Sequence, residues 1–148
     1  MYIEYLDYPP IPEHFVESVD TILNRENFDS DWTYDNYVTK PLSAELSDWL
    51  SKNLDVELER QPLYQVLRNI VPIHKDVDGR PYAYNYLLYT GGDRVATSFY
   101  DDNKKLVYSE KILLDRWHRL SAQHYHSVVG FDPNSVRISI TLTPKFTL

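Results

Sequence analysis

The spacing of apolar residues changes character near residue 52. Before it, Phe15, Val16, Val19, Ile22 and Leu23 recur at helical spacing and predict an amphipathic helix over residues 12–24. Pro12 suits its first turn, where a missing N–H costs nothing. A second helix follows Pro41, with Leu42, Leu46, Trp49 and Leu50 on one face. Residues 1–11 read as an extended arm and residues 24–38 as a loop. After Lys52 the period becomes two: Leu54, Val56 and Leu58 alternate with Asp55, Glu57 and Glu59, as in a half-buried strand. Further strands are expected at residues 64–68, 70–74, 82–89, 95–100, 106–108, 112–114 and 136–143. Turn residues separate them at Asp78-Gly79, Gly91-Gly92-Asp93, Asp101-Asp102-Asn103 and Asp132-Pro133-Asn134. Short strands at this spacing predict a mainly β fold with N-terminal helices, for which a jelly roll is the natural fit. One domain over residues 1–148 follows, with 1–52 as a helical buttress and 53–148 as the β core.

The final strand alternates most strictly. Ile138, Ile140 and Leu142 share one face; Arg137, Ser139 and Thr141 share the other. A half-exposed surface strand has the same pattern. An arginine on an inward face, by contrast, is costly unless an anion meets it, and its planar fork can grip a carboxylate at two points.

Composition narrows the chemistry. The chain is 148 residues long, carries a net charge of −7 and has no cysteine, so a metal site must use His, Asp or Glu. The acidic balance argues against a nucleic-acid partner, because phosphate neutralisation dominates such binding. No apolar run approaches the roughly 20 residues of a membrane helix, and the acidic start lacks the basic region of a secretory signal. A cytoplasmic location without membrane or nucleic-acid partners is the expectation. The thirteen tyrosines are read as mostly structural.

Against that background His74-x-Asp76 stands out, because i, i+2 spacing puts both side chains on one face at the end of an apolar strand. A solvated strand end gives the same pattern. His126 lies fifty residues beyond Asp76, and Arg137-x-Ser139 follows it. Two histidines and one carboxylate make a facial ligand set for non-haem Fe(II), and an arginine beyond them can hold a carboxylate-bearing cosubstrate. A local rival is His124-x-His126, two imidazoles on one face that Asp132 could complete as a cupin-like metal site. His118 is read as structural or exposed, and His14 as solvent-facing.

The order His74-x-Asp76, His126, Arg137-x-Ser139 resembles the Fe(II)/2-oxoglutarate-dependent oxygenases in their compact, prolyl-hydroxylase-like form. The likeness covers residues 64–142. It implies a double-stranded β-helix (a cupin-like jelly roll), with Fe(II) held by His74, Asp76 and His126 as the catalytic centre. It also implies 2-oxoglutarate held by Arg137 and Ser139, and O2 as oxidant. The implied reaction hydroxylates a C–H bond and releases succinate and CO2. Tyr64, ten residues before His74, is similar to a tyrosine that contacts the cosubstrate in such enzymes. Asn85, a polar residue between Ala83 and Leu87, is nominated as a cosubstrate or substrate contact. Gly91-Gly92 followed by Thr97-x-Phe99 resembles the family strand after its glycine pair. Leu87 stands where another cosubstrate-binding tyrosine would align, and position 137 is Arg rather than Lys, so a prolyl substrate is not implied. The expected substrate is a small molecule, peptide or protein, its pocket shaped by residues 24–38, 77–82 and the region of Phe131. Oligomeric state is left open. Two alternatives stand beside this reading: a non-catalytic jelly-roll binding module, and the cupin-like metalloenzyme.

Overall fold

The structure is a computed structural model that describes residues 1–24, 36–76 and 79–145. The expected pocket segments 24–38 and 77–82 therefore lie partly outside the described residues. The architecture is mainly β, in two antiparallel sheets. In chain order the elements are β1 (Ile3–Tyr5), a 3-10 turn (Glu13–Phe15), α1 (Val19–Ile22), β2 (Tyr37–Pro41) and α2 (Ala44–Asn53). The strands that follow are β3 (Leu58–Arg68), β4 (Val71–His74), β5 (Tyr82–Thr90), β6 (Ala96–Tyr100), β7 (Leu106–Glu110), β8 (Trp117–Ser121), β9 (Tyr125–Val129) and β10 (Val136–Pro144). One sheet has six strands in the order β1-β8-β5-β10-β3-β2, and the other has four in the order β4-β9-β6-β7. From β3 onward the chain alternates between the sheets, except that β6 and β7 follow one another and pair in the smaller one.

The two helices cover one face of the larger sheet. Ser43 caps α2 by accepting the backbone N–H of Leu46 at 3.2 Å. Leu46 and Leu50, one turn apart, are fully buried against Tyr64, Val66, Ile138, Ile140 and Leu142. Burial of each such side chain contributes roughly 1.5–3 kcal/mol. The expected first helix over 12–24 is instead a 3-10 turn and a four-residue helix with extended Val16 between them. Ser18 accounts for the break, since its side chain accepts the N–H of Thr21 and starts α1 afresh. The stretch expected as a helical buttress, with an extended arm before it and a loop within it, also contributes β1 and β2 to the larger sheet.

The strand expectations at 64–68, 70–74, 82–89, 95–100, 106–108 and 136–143 correspond to β3 to β7 and β10 within a few residues. The alternating stretch from Leu54 joins β3 only at Leu58, and residues 112–114 form no strand. β10 lies between β3 and β5 and is buried on both sides: Ile138 and Ile140 face the helices, while Arg137 and Ser139 keep only 4% and 6% exposure on the face toward the second sheet. Gly91 closes the far end of that interior. Its φ of +87° suits glycine, and a Cβ there would stand 2.8 Å from the Phe131 ring.

Candidate metal centre

β4 and β9 are direct neighbours in the smaller sheet, and their register sets His74 opposite His126. The two rings lie 4.3 Å apart, centroid to centroid. Asp76 follows just past the end of β4. Its backbone N–H donates to the Ala122 carbonyl at 3.1 Å, which ties the turn to the end of β8. Asp76 Oδ1 lies 3.5 Å from His74 Nε2 and 3.4 Å from His126 Nε2. Among the described residues these three side chains form a group whose ligand atoms all fall within 4.8 Å of one another.

The outer nitrogens fix the tautomers. His74 Nδ1 is 2.7 Å from the Pro72 carbonyl and His126 Nδ1 is 2.8 Å from the His124 carbonyl. A ring that donates from Nδ1 to a carbonyl presents the lone pair of Nε2, the arrangement that metal-binding histidines require. Here both Nε2 atoms converge on the carboxylate. Burial opposes ionisation of Asp76, but hydrogen bonds with His126 and His74 and the charges of those rings outweigh it, and its carboxyl sits well below the usual range. His74 is raised above 6.5, first by its hydrogen bond to Asp76, with burial opposing. His126 is buried, whereas His74 and Asp76 keep side-chain exposures of 40% and 26%, so the group opens to solvent on their side.

Arg137 sits at the other end of the interior, paired in register with Thr90. Its Nη1 donates to the Thr90 carbonyl at 3.2 Å, and among the described residues it has no carboxylate partner. Burial depresses it to about 10, so it remains a cation. Ser139 lies two residues along the same face. Asn85 also faces this interior, and its Oδ1 is buried without a hydrogen-bond partner. A buried cation without a counter-charge and a buried acceptor without a donor are both costly, and both fit a polar ligand between the sheets.

Tyr64 does not belong to this group. It pairs with Ile140 rather than Ser139, is buried in the core beneath the helices, and its hydroxyl accepts the N–H of Glu17 at 3.4 Å. The residue of β3 opposite Ser139 is Gln65, one position on, and a one-residue step reverses the face. His118, read from sequence as structural or exposed, is 2% exposed and lies directly across from Asn85. Burial, followed by the charge of Arg137, lowers it to about 4. The signal available in the sequence was its alternation with Trp117 and Arg119. Phe99 pairs in register with His126, their rings 6.1 Å apart. His124 is exposed, with Nδ1 2.5 Å from Ser121 Oγ. Asp132 lies at the Gly91–Gly92 turn, its N–H on the Gly91 carbonyl, so the rival set of His124, His126 and Asp132 is not assembled.

Comparison with known proteins finds no matching family model and no matching curated protein. Among solved structures, the fold is similar to that of an oxidoreductase of the 2OG-Fe(II) oxygenase family from Burkholderia pseudomallei. That match has a TM-score of 0.51 and 11% identity, and covers 84% of this chain and 74% of the other. At that identity the likeness concerns the fold.

Proposed function

We propose that this chain is an Fe(II)- and 2-oxoglutarate-dependent dioxygenase that hydroxylates a C–H bond of a small molecule, peptide or protein, built as a single double-stranded β-helix domain with an N-terminal buttress. The observation that carries the reading is the pairing of His74 with His126 across β4 and β9, with Asp76 closing the set. Two neutral imidazoles and one carboxylate suit non-haem Fe(II) and leave coordination positions open. The alternation of strands between sheets and the fold likeness to an oxygenase of this class add support.

In this reading His74, Asp76 and His126 would hold the metal, and Arg137 with Ser139 would hold the distal carboxylate of 2-oxoglutarate. When bound, Fe(II) and 2-oxoglutarate together supply O2 activation with loss of CO2, leaving succinate and an oxidant for the substrate C–H bond. The protein supplies position and exclusion. The Pro72 and His124 carbonyls hold both imidazoles as Nδ1–H donors and aim Nε2 inward. The buried guanidinium orients an incoming diacid, because a carboxylate relieves its lack of a counter-charge. Phe99, fully buried, lies beside His126 and supplies an apolar wall to the metal site.

The test is succinate formation from 2-oxoglutarate by purified protein with and without Fe(II), in air and under nitrogen. Succinate that requires both metal and O2, and that is lost in Asp76→Ala, is the expected result. Binding of a ligand with no succinate under any condition would favour the non-catalytic binding module.

A further inference from the structure

The interior between the sheets has a layer that metal and arginine do not use. Along β5, the Tyr82 end is joined through Ser121, Ala122 and Pro81 to the turn that carries Asp76, and the Thr90 end is the register partner of Arg137. Asn85 lies between the two ends, with His118 of β8 directly opposite. Arg137 is close enough to act on the charge of His118, so a dicarboxylate held by Arg137 would share the space that this pair faces. Directly opposed residues on neighbouring strands have Cβ atoms about 5 Å apart, so the two side chains are within hydrogen-bonding reach.

Each member lacks something the other could supply. Asn85 Oδ1 is a buried acceptor without a donor. His118 Nδ1 is 3.5 Å from the Arg116 carbonyl, and a ring that donates there leaves Nε2 free. In the ligand-free protein burial holds the ring neutral, with a value of about 4, and Arg137 acts in the same direction; with Nδ1–H donated to the Arg116 carbonyl, Nε2 is the site for an added proton. The groups that face it are Tyr5 of β1, Asn85 of β5, Glu110 of β7 and Arg137 of β10, with Arg116 on its own strand; of these Glu110 favours the charged ring. An arriving diacid neutralises Arg137 and adds negative charge to the same space. Both changes favour imidazolium.

We propose that His118 and Asn85 complete the pocket as a proton-linked pair: each dicarboxylate that binds brings one proton from solvent onto His118 Nε2, which donates it in a hydrogen bond to Asn85 Oδ1. The Asn85 amide N–H is then left to face the ligand's carboxylate. The inference rests on the reading of this interior as a 2-oxoglutarate site and adds to it a protonation step and a further ligand-contacting pair.

The experiment is calorimetric titration of 2-oxoglutarate, without O2, into protein already loaded with Mn(II), so that His74 and His126 have no proton to exchange. Two buffers of different ionisation enthalpy give the number of protons taken up. The expected result near pH 6.5 is net proton uptake on binding, with affinity that weakens as the pH rises, by at most about tenfold per pH unit. His118→Gln should still bind 2-oxoglutarate, with no uptake and a flat pH profile. Binding without uptake in the wild type, or unchanged uptake in His118→Gln, overturns the proposal and leaves the oxygenase reading standing. Failure of the wild type to bind 2-oxoglutarate overturns both. Should His118→Gln not fold, histidine-labelled wild type loaded with diamagnetic Zn(II) decides by NMR. One ring passing from neutral to imidazolium when 2-oxoglutarate is added supports the proposal, and unchanged rings refute it.

Discussion

Replacing Arg137 by methionine separates a binding role from a structural one, because the two roles predict opposite signs. The guanidinium is buried, and its depression from 12.5 to about 10 corresponds to roughly 3 kcal/mol of unfavourable burial in the ligand-free protein. The single hydrogen bond to the Thr90 carbonyl returns about 1 kcal/mol. Methionine fills similar volume without charge, so Arg137→Met should leave the ligand-free protein as stable as the wild type or more stable by about 2 kcal/mol. Loss of a buried charged partner should weaken 2-oxoglutarate binding by about 2–5 kcal/mol, which is roughly 30-fold to several thousandfold. Urea denaturation without ligand and calorimetric titration with 2-oxoglutarate read the two quantities separately. A variant clearly less stable than wild type that binds 2-oxoglutarate normally would make Arg137 a structural residue and refute the reasoning.

Three further outcomes follow from the same geometry. Asp76→Ala should lose Fe(II) at concentrations that saturate the wild type while retaining its fold, as read by metal content after desalting; full metal retention would remove Asp76 from the centre. Metal affinity should fall as pH drops, because His74 is raised above 6.5 and must give up its proton to bind; the loss should reach about tenfold per pH unit below its value and level off above it, as measured by chelator competition. An affinity that does not change between pH 7.5 and 5.5 would contradict that assignment. Tyr64→Phe should cost about 0.5–1.5 kcal/mol of stability through its bond to Glu17 and leave 2-oxoglutarate affinity unchanged, whereas a cosubstrate contact would show the reverse.

The period-two alternation of β10 was legible because its inner face is polar and its outer face apolar, so Arg137 and Ser139 separated cleanly from Ile138 and Ile140. The His74–Asp76 turn was legible for a similar reason: an apolar strand ends there. β8 was hidden because every residue but Arg119 is buried, on both faces, while its sequence alternates Trp117 and Arg119 with His118 and Leu120. Arg119 is accommodated by two hydrogen bonds to Glu4 Oε2 on β1, a partner 115 residues away. Tyr64 was misplaced because distance from His74 along the chain says nothing of which face a strand residue takes, whereas its register with Ile140 does. The first helix was overextended because Phe15, Val16 and Val19 keep helical spacing across a break. What interrupts them is Ser18 as a cap, and Glu17 turned away to accept the Ser43 N–H and meet Lys40.

The central claim is that His74, Asp76 and His126 hold iron in a site whose remaining positions chelate 2-oxoglutarate against Arg137. Anaerobic titration of the metal-free protein, first with Fe(II) and then with 2-oxoglutarate, tests it most directly. The account predicts one Fe(II) per chain and, on addition of 2-oxoglutarate, a weak visible charge-transfer band that saturates at one equivalent, is absent in Asp76→Ala and needs far more 2-oxoglutarate in Arg137→Met. A wild-type protein that takes up no Fe(II), or that binds it and develops no band at saturating 2-oxoglutarate, would contradict it.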